Sequence, residues 1–152
     1  MKTTNEKTVA LLNNIIEINN DRIEGYEKAV KETEDDDLKS LFNKMANESR
    51  GHRSELISLV VSLGGSPAEG TKTSGKIYRA WMDIKAALSG KDAHTIISSC
   101  EFGEDAALEE YDDVLGENEL TGSARETVAS QRIKIQQSHD NIKALRDAVK
   151  EE

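Results

Sequence analysis

At 152 residues the chain has room for one domain with a sizeable core, and nothing in it asks for a second. It holds one proline, two phenylalanines, one tryptophan and three tyrosines amid abundant Lys, Glu, Asp, Ala, Leu and Ile, which excludes an all-β design and suits amphipathic helices. A formal net charge of −9 with no basic patch argues against nucleic acid and anionic membrane as partners, since both demand clustered Lys and Arg.

The first helix is expected over about 4–34. Thr3-x-x-Glu6 is a capping box, and the stripe Val9, Leu12, Ile16, Ile23, Tyr26, Val30 advances by helical steps. The acidic run Glu34 to Asp37 then breaks the stripe and places negative charge at the start of a second helix, about 37–63, where the helix dipole favours it. That helix carries Leu38, Leu41, Phe42, Met45, Leu56, Leu59 and Leu63 and stops at Gly64-Gly65-Ser66-Pro67. A short amphipathic helix, about 76–89, carries Ile77, Trp81, Ile84 and Leu88, with Tyr78 and Trp81 as its anchors to the bundle. Asp92 can cap a third long helix, about 92–115, with the stripe Ile97, Cys100, Ala107, Tyr111, Val114. Ser123-x-x-Glu126 is a second capping box, opening a last helix over about 123–150 with Val128, Ile135, Ile142, Leu145 and Val149.

Short turns after the first and third long helices imply two antiparallel hairpins. The interval from Gly64 to Asp92 is too long for a tight turn and suits a crossover the length of the bundle. The expected architecture is therefore an all-α, ferritin-like four-helix bundle in a single domain. Met1 to Glu6 has no apolar signal region, and no apolar run approaches the roughly 20 residues of a membrane span. The lone cysteine, Cys100, allows no intrachain disulfide, so a reducing cytoplasm is the expected location.

Continuing the core stripes exposes polar residues where leucine is expected. Glu48 and His52 follow Met45 in the second helix, Glu104 follows Cys100 in the third, and His139 lies between Ile135 and Ile142 in the fourth. Asn19 falls on the first helix's seam, with Glu17, Asp21 and Glu24 along its margins. Carboxylates that bridge two hard cations, completed by imidazoles, are the chemistry of dinuclear metal bundles, whose usual set is one Glu from each of two helices and a Glu-x-x-His pair from each of the others. Here Glu48 and His52 stand four residues apart, and Gln136-x-x-His139 puts a neutral amide where a carboxylate belongs. The candidate metal ligands are thus Glu48, His52, Glu104 and His139, with Glu101 and Gln136 as secondary candidates for iron or another divalent metal. The plainer reading of the same residues is a hydrogen-bonded polar layer, or partial exposure at bundle margins.

Other candidates have structural explanations. His94 sits in a first helical turn and is expected in solvent. Cys100 reads as a small core residue without the local charge that would activate a thiol. Met45 in a leucine stripe is packing rather than a haem ligand. No phosphate-cradling glycine loop, nucleophile elbow or zinc-spaced cysteine set is present, so no catalytic or cofactor-binding residue is assigned.

Several stretches carry a family resemblance. They are Leu63-Gly64-Gly65-Ser66-Pro67, Tyr78-Arg79-Ala80-Trp81-Met82-Asp83-Ile84-Lys85 with Ala87-Leu88-Ser89-Gly90-Lys91-Asp92, Cys100-Glu101-Phe102-Gly103-Glu104-Asp105-Ala106-Ala107, and His139-Asp140-Asn141-Ile142-Lys143-Ala144-Leu145-Arg146-Asp147. Together they resemble a bacterial ferritin-like four-helix-bundle domain family of unknown function, a distant relative of rubrerythrins and bacterioferritins. The resemblance implies the fold without supplying an activity. Glu101, Glu104 and His139 fall within its motifs, whereas Glu48 and His52 do not. Two expectations follow. The favoured one is a non-enzymatic helical protein acting through assembly or partner binding, in bacterial stress physiology. The alternative is a metal-binding protein of di-iron type with oxidase or iron-handling activity. A homodimer or other homo-oligomer is expected in either case.

Overall fold

A computed structural model describes residues 3–71 and 93–148. Among these residues every element is helical, with no strand. The four helices are α1 (Thr4–Glu32), α2 (Asp36–Ser62), α3 (Ala93–Leu115) and α4 (Gly122–Ala148). The expected crossover helix at 76–89, with Tyr78 and Trp81, and the cap at Asp92 lie outside the described residues. No described helix is long and apolar enough to cross a membrane.

Local chemistry sets the helix ends. Thr3 accepts the Glu6 amide at 3.1 Å, and its hydroxyl donates to the Glu6 carboxylate at 3.2 Å. α1 stops at Glu32, two residues before the expected end, because the acidic run is split. Thr33 turns into extended backbone and Asp35 becomes the cap of α2, accepting the Leu38 amide at 3.1 Å. α2 ends in a Schellman motif. Gly64, at φ 81°, donates to the Val61 carbonyl and Gly65 to that of Val60, each at 3.0 Å. Ser123 does not cap α4, which begins one residue earlier at Gly122. Arg125 organises that turn instead, donating to the carbonyls of Leu115, Leu120 and Glu117 at 2.8, 2.7 and 3.0 Å.

Contacts fix the helix directions. Asn20 meets Arg53 and Glu27 meets Arg50, so α1 and α2 are antiparallel. Thr8 reaches Glu119 and Tyr26 reaches Glu104, so α1 and α3 are antiparallel as well. Glu101 with Arg146 and Asp112 with Arg132 set α3 against α4, while Glu48 with Ser138 and Glu55 with Gln131 set α2 against α4. Each helix thus has two antiparallel neighbours, and α2 and α3 run in the same direction.

Two apolar clusters fill the interior. One gathers Leu12, Ile15, Ile16, Leu56, Val60, Ala107, Val114, Val128 and Ile135. The other gathers Tyr26, Phe42, Met45, Ile97, Cys100 and Ile142. Along every helix the two are separated by the same stretch, in which polar side chains face inward.

Candidate functional site

That stretch is organised by a residue the sequence did not single out. Arg22 on α1 is 2% exposed, and its guanidinium reaches across the bundle interior. It donates to Glu104 Oε1 on α3 at 2.6 Å, and to Ser49 Oγ and Glu48 Oε1 on α2 at 2.7 and 3.3 Å. The Tyr26 hydroxyl donates to the same Glu104 oxygen at 2.6 Å. Ser138 on α4 closes the layer, donating to both Glu48 oxygens at 3.1 and 2.9 Å. One guanidinium therefore bridges the two carboxylates expected to bridge metals.

The electrostatics follow from burial and pairing. Burial works against the guanidinium's charge, but Glu104, Tyr26 and Glu48 outweigh it and raise the Arg22 pKa. Burial would push the Glu48 carboxyl up, yet His52, Arg22 and Ser138 together hold it below the usual carboxylate range. Burial, with Glu104 and Cys100 nearby, drives the Tyr26 phenol well up, so it remains a donor. Burial and Glu104 likewise push up the Cys100 thiol, which leaves it unsuited to nucleophilic chemistry.

A second set of polar groups borders the layer. The Tyr111 hydroxyl accepts from Asn19 at 2.9 Å and donates to Gln131 at 2.7 Å, and Gln131 donates to the His52 carbonyl at 3.1 Å. Asn19 Oδ1, Arg22 Nε, His52 Nε2 and Glu104 Oε2 are buried without a hydrogen-bond partner.

The structure brings together part of the expected metal set. Glu48, His52 and Glu104 all line the layer, with His52 Nε2 3.8 Å from Glu48 Oε1. His139 does not join them. Ser138 takes the inward position, and His139 lies at the α3–α4 margin, where its Nε2 meets Asp105 Oδ1 at 2.7 Å and its Nδ1 meets Asp140 Oδ1 at 3.2 Å. Glu101 stands on the same margin, with Oε1 paired to Arg146 and Oε2 buried without a partner. Gln136 is part of this margin too, accepting from Arg132 at 3.3 Å and donating to Asp140 at 2.9 Å. Its amide and the His139 ring draw the Asp140 carboxyl below its usual range, His139 most strongly. Among the described residues, Glu101, Asp105 and His139 are the trio whose ligand atoms all lie within 4.8 Å of one another.

Sequence reasoning missed Arg22, Ser49, Ser138, Gln131 and Asp105. The available signal for Arg22 was its place on the seam, three residues after Asn19 and four before Tyr26. A cation there marks a helix that neutralises carboxylates instead of adding one. Of the other expectations, Met45 and Cys100 are buried core residues, and His94 is half-buried in the first turn of α3.

Against known proteins, residues 7–117 match the family described as "Domain of unknown function (DUF2383)". A search of curated proteins returned no match.

Proposed function

The chain belongs to that family, and we propose that it is a ferritin-like bundle without a dinuclear metal centre, acting non-enzymatically through assembly or binding to another protein. The parallel run of α2 and α3 supports the architecture, since it is the relation one long crossover requires. The observation that carries the functional reading is the Arg22 guanidinium, 2.6 Å from Glu104 and 3.3 Å from Glu48. Bundles of this kind hold two cations between such carboxylates. Here the protein's own fixed charge stands between them, and a divalent cation brought alongside would meet like-charge repulsion in a poorly solvated interior.

The rest of the donor set argues the same way. Gln136 is neutral, and His139 is turned to the margin. Among the described residues, Arg22, Glu48 and Glu104 are committed to one another, which supports a function carried by the outer surface. A second copy of the chain is the first partner to test, and the cytoplasm is the proposed location.

Elemental analysis of protein loaded with iron(II) without oxygen tests this reading. The expected result is no dinuclear iron and no oxygen consumption on aeration beyond that of iron(II) in buffer alone. About two iron atoms per chain, lost in Glu48→Gln, would overturn it in favour of a di-iron protein using Glu48, His52 and Glu104. Light scattering over a concentration series reads the assembly, and a strictly monomeric chain would remove homo-oligomerisation from the proposal.

A further inference from the structure

The α3–α4 margin offers a different kind of chemistry from the core layer. Glu101 and Asp105 are one helical turn apart on α3, so their carboxylates share a face. His139 on α4 presents Nε2 to that face, 2.7 Å from Asp105 Oδ1. We propose that Glu101, Asp105 and His139 bind a single divalent transition-metal cation, through Glu101 Oε2, Asp105 Oδ1 and His139 Nε2.

Three features support this beyond proximity. The first is the imidazole's setting. His139 Nδ1 faces Asp140 Oδ1 at 3.2 Å, the arrangement in which a carboxylate holds the N–H of one ring nitrogen and directs the other nitrogen's lone pair at a metal. With Nδ1 carrying the proton, the Nε2 lone pair would confront a carboxylate oxygen at 2.7 Å, and a cation between them removes that repulsion. Asp140 is itself held by Gln136, and Gln136 by Arg132, so the ring is oriented through a chain of contacts. Second, Glu101 is divided in its duties. Arg146 takes Oε1, while Oε2 is buried with no hydrogen-bond partner and is the oxygen left for an ion. Third, the Asp105 side chain is 55% exposed, which gives an ion a route from solvent.

Ligand identity narrows the ion. One imidazole with two carboxylates suits the borderline first-row divalent cations better than Ca²⁺ or Mg²⁺. Metal–ligand distances of about 2.1 Å put neighbouring ligand atoms roughly 3 Å apart or more. The His139–Asp105 contact would therefore open by a few tenths of an ångström, within reach of a side-chain rotation.

Zn²⁺ is the probe, titrated into chelator-stripped full-length protein in competition with a chromophoric chelator. The expected result is one Zn²⁺ per chain, weakened tenfold or more by His139→Gln and by Asp105→Asn. Asp140→Asn, which touches the imidazole and not the ion, should weaken it by about tenfold. His94→Gln and Glu48→Gln should leave it unchanged. No binding, binding untouched by His139→Gln, or binding lost in His94→Gln would overturn the site. Should His139→Gln fail to fold, as judged by its circular dichroism melt in chelator, Asp105→Asn carries the test. The outcome is separable from the core reading. A second cation lost only in Glu48→Gln would overturn the Arg22 assignment and leave this site in place.

Discussion

Replacing Arg22 with methionine is the sharpest test of the core layer. The change keeps an unbranched side chain of similar reach and removes three donated hydrogen bonds, to Glu104, Ser49 and Glu48. Glu104 suffers most, because its side chain is 0% exposed and would retain only the Tyr26 hydroxyl as a donor. Breaking a buried ion pair by deleting one partner typically destabilises by about 3–5 kcal/mol. Two short charge-assisted bonds at about 1.5–3 kcal/mol each give a similar range. For a chain of this size, about 2–4 °C of melting temperature per kcal/mol translates this into a fall of roughly 6–20 °C. Urea denaturation followed by circular dichroism measures the change. Adding Glu104→Gln should recover part of the loss, with a coupling of roughly 0.5–3 kcal/mol in the double-mutant cycle. An Arg22→Met protein within about 0.5 kcal/mol of the parent, with no coupling to Glu104, would show that the guanidinium is not what neutralises the layer.

Three further predictions follow from the same contacts. Changing Arg22, Glu48 and Glu104 together to Met, Leu and Leu should cost less than Arg22→Met alone, because no buried charge is left unpaired even though the hydroxyls of Tyr26, Ser49 and Ser138 lose their partners; denaturation midpoints check this, and a loss as large as that of Arg22→Met would refute it. Glu48 has a lowered pKa in the fold, so its contribution is present above its unfolded pKa and lost as pH falls through the folded value. Glu48→Gln should accordingly flatten the acid side of a stability–pH curve below about pH 4.5, and an unchanged acid limb would count against the Arg22–Glu48–Ser138 linkage. Tyr111→Phe strands the Gln131 oxygen that now accepts at 2.7 Å and should destabilise by about 1–3 kcal/mol, read by thermal melting; no change would mean that this hydroxyl does not hold α3 to α4.

The helices were legible because their signals are local and redundant. Apolar stripes, the Thr3 cap and the Gly64-Gly65 stop each point to the same boundaries. The polar layer was legible only in outline, as Glu48, His52 and Glu104 interrupting leucine positions. What stayed hidden shares one cause. A helical period of 3.6 does not decide between adjacent residues: one turn beyond Asn19 falls between Arg22 and Ile23, and one turn beyond Ile135 falls between Ser138 and His139. On α1 the sequence reading took the apolar Ile23, although Arg22 is buried more deeply at 2% against 5%. On α4 it took the imidazole, although the smaller Ser138 is the one turned to Glu48. In both cases the choice lies between neighbours that the helical period alone does not separate.

The distinction between a guanidinium and a metal ion changes what the interior can do. A metal exchanges with solution and can change valence, whereas Arg22 does neither and keeps its proton across the accessible pH range. Its planar fork also imposes geometry that a point charge does not. The short contacts from Arg22 fix α1 axially against Glu48 and Ser49 on α2 and Glu104 on α3, and Ser138 extends the same layer to α4. A slip of any one helix by a turn, about 5.4 Å, would move its members beyond hydrogen-bonding reach. An apolar core of similar volume would tolerate such a slip far better, because dispersion contacts re-form with whichever neighbours arrive. On the proposed reading the layer would serve helix register and not reactivity, and the same helix arrangement places Glu101 and Asp105 on α3 opposite His139 on α4.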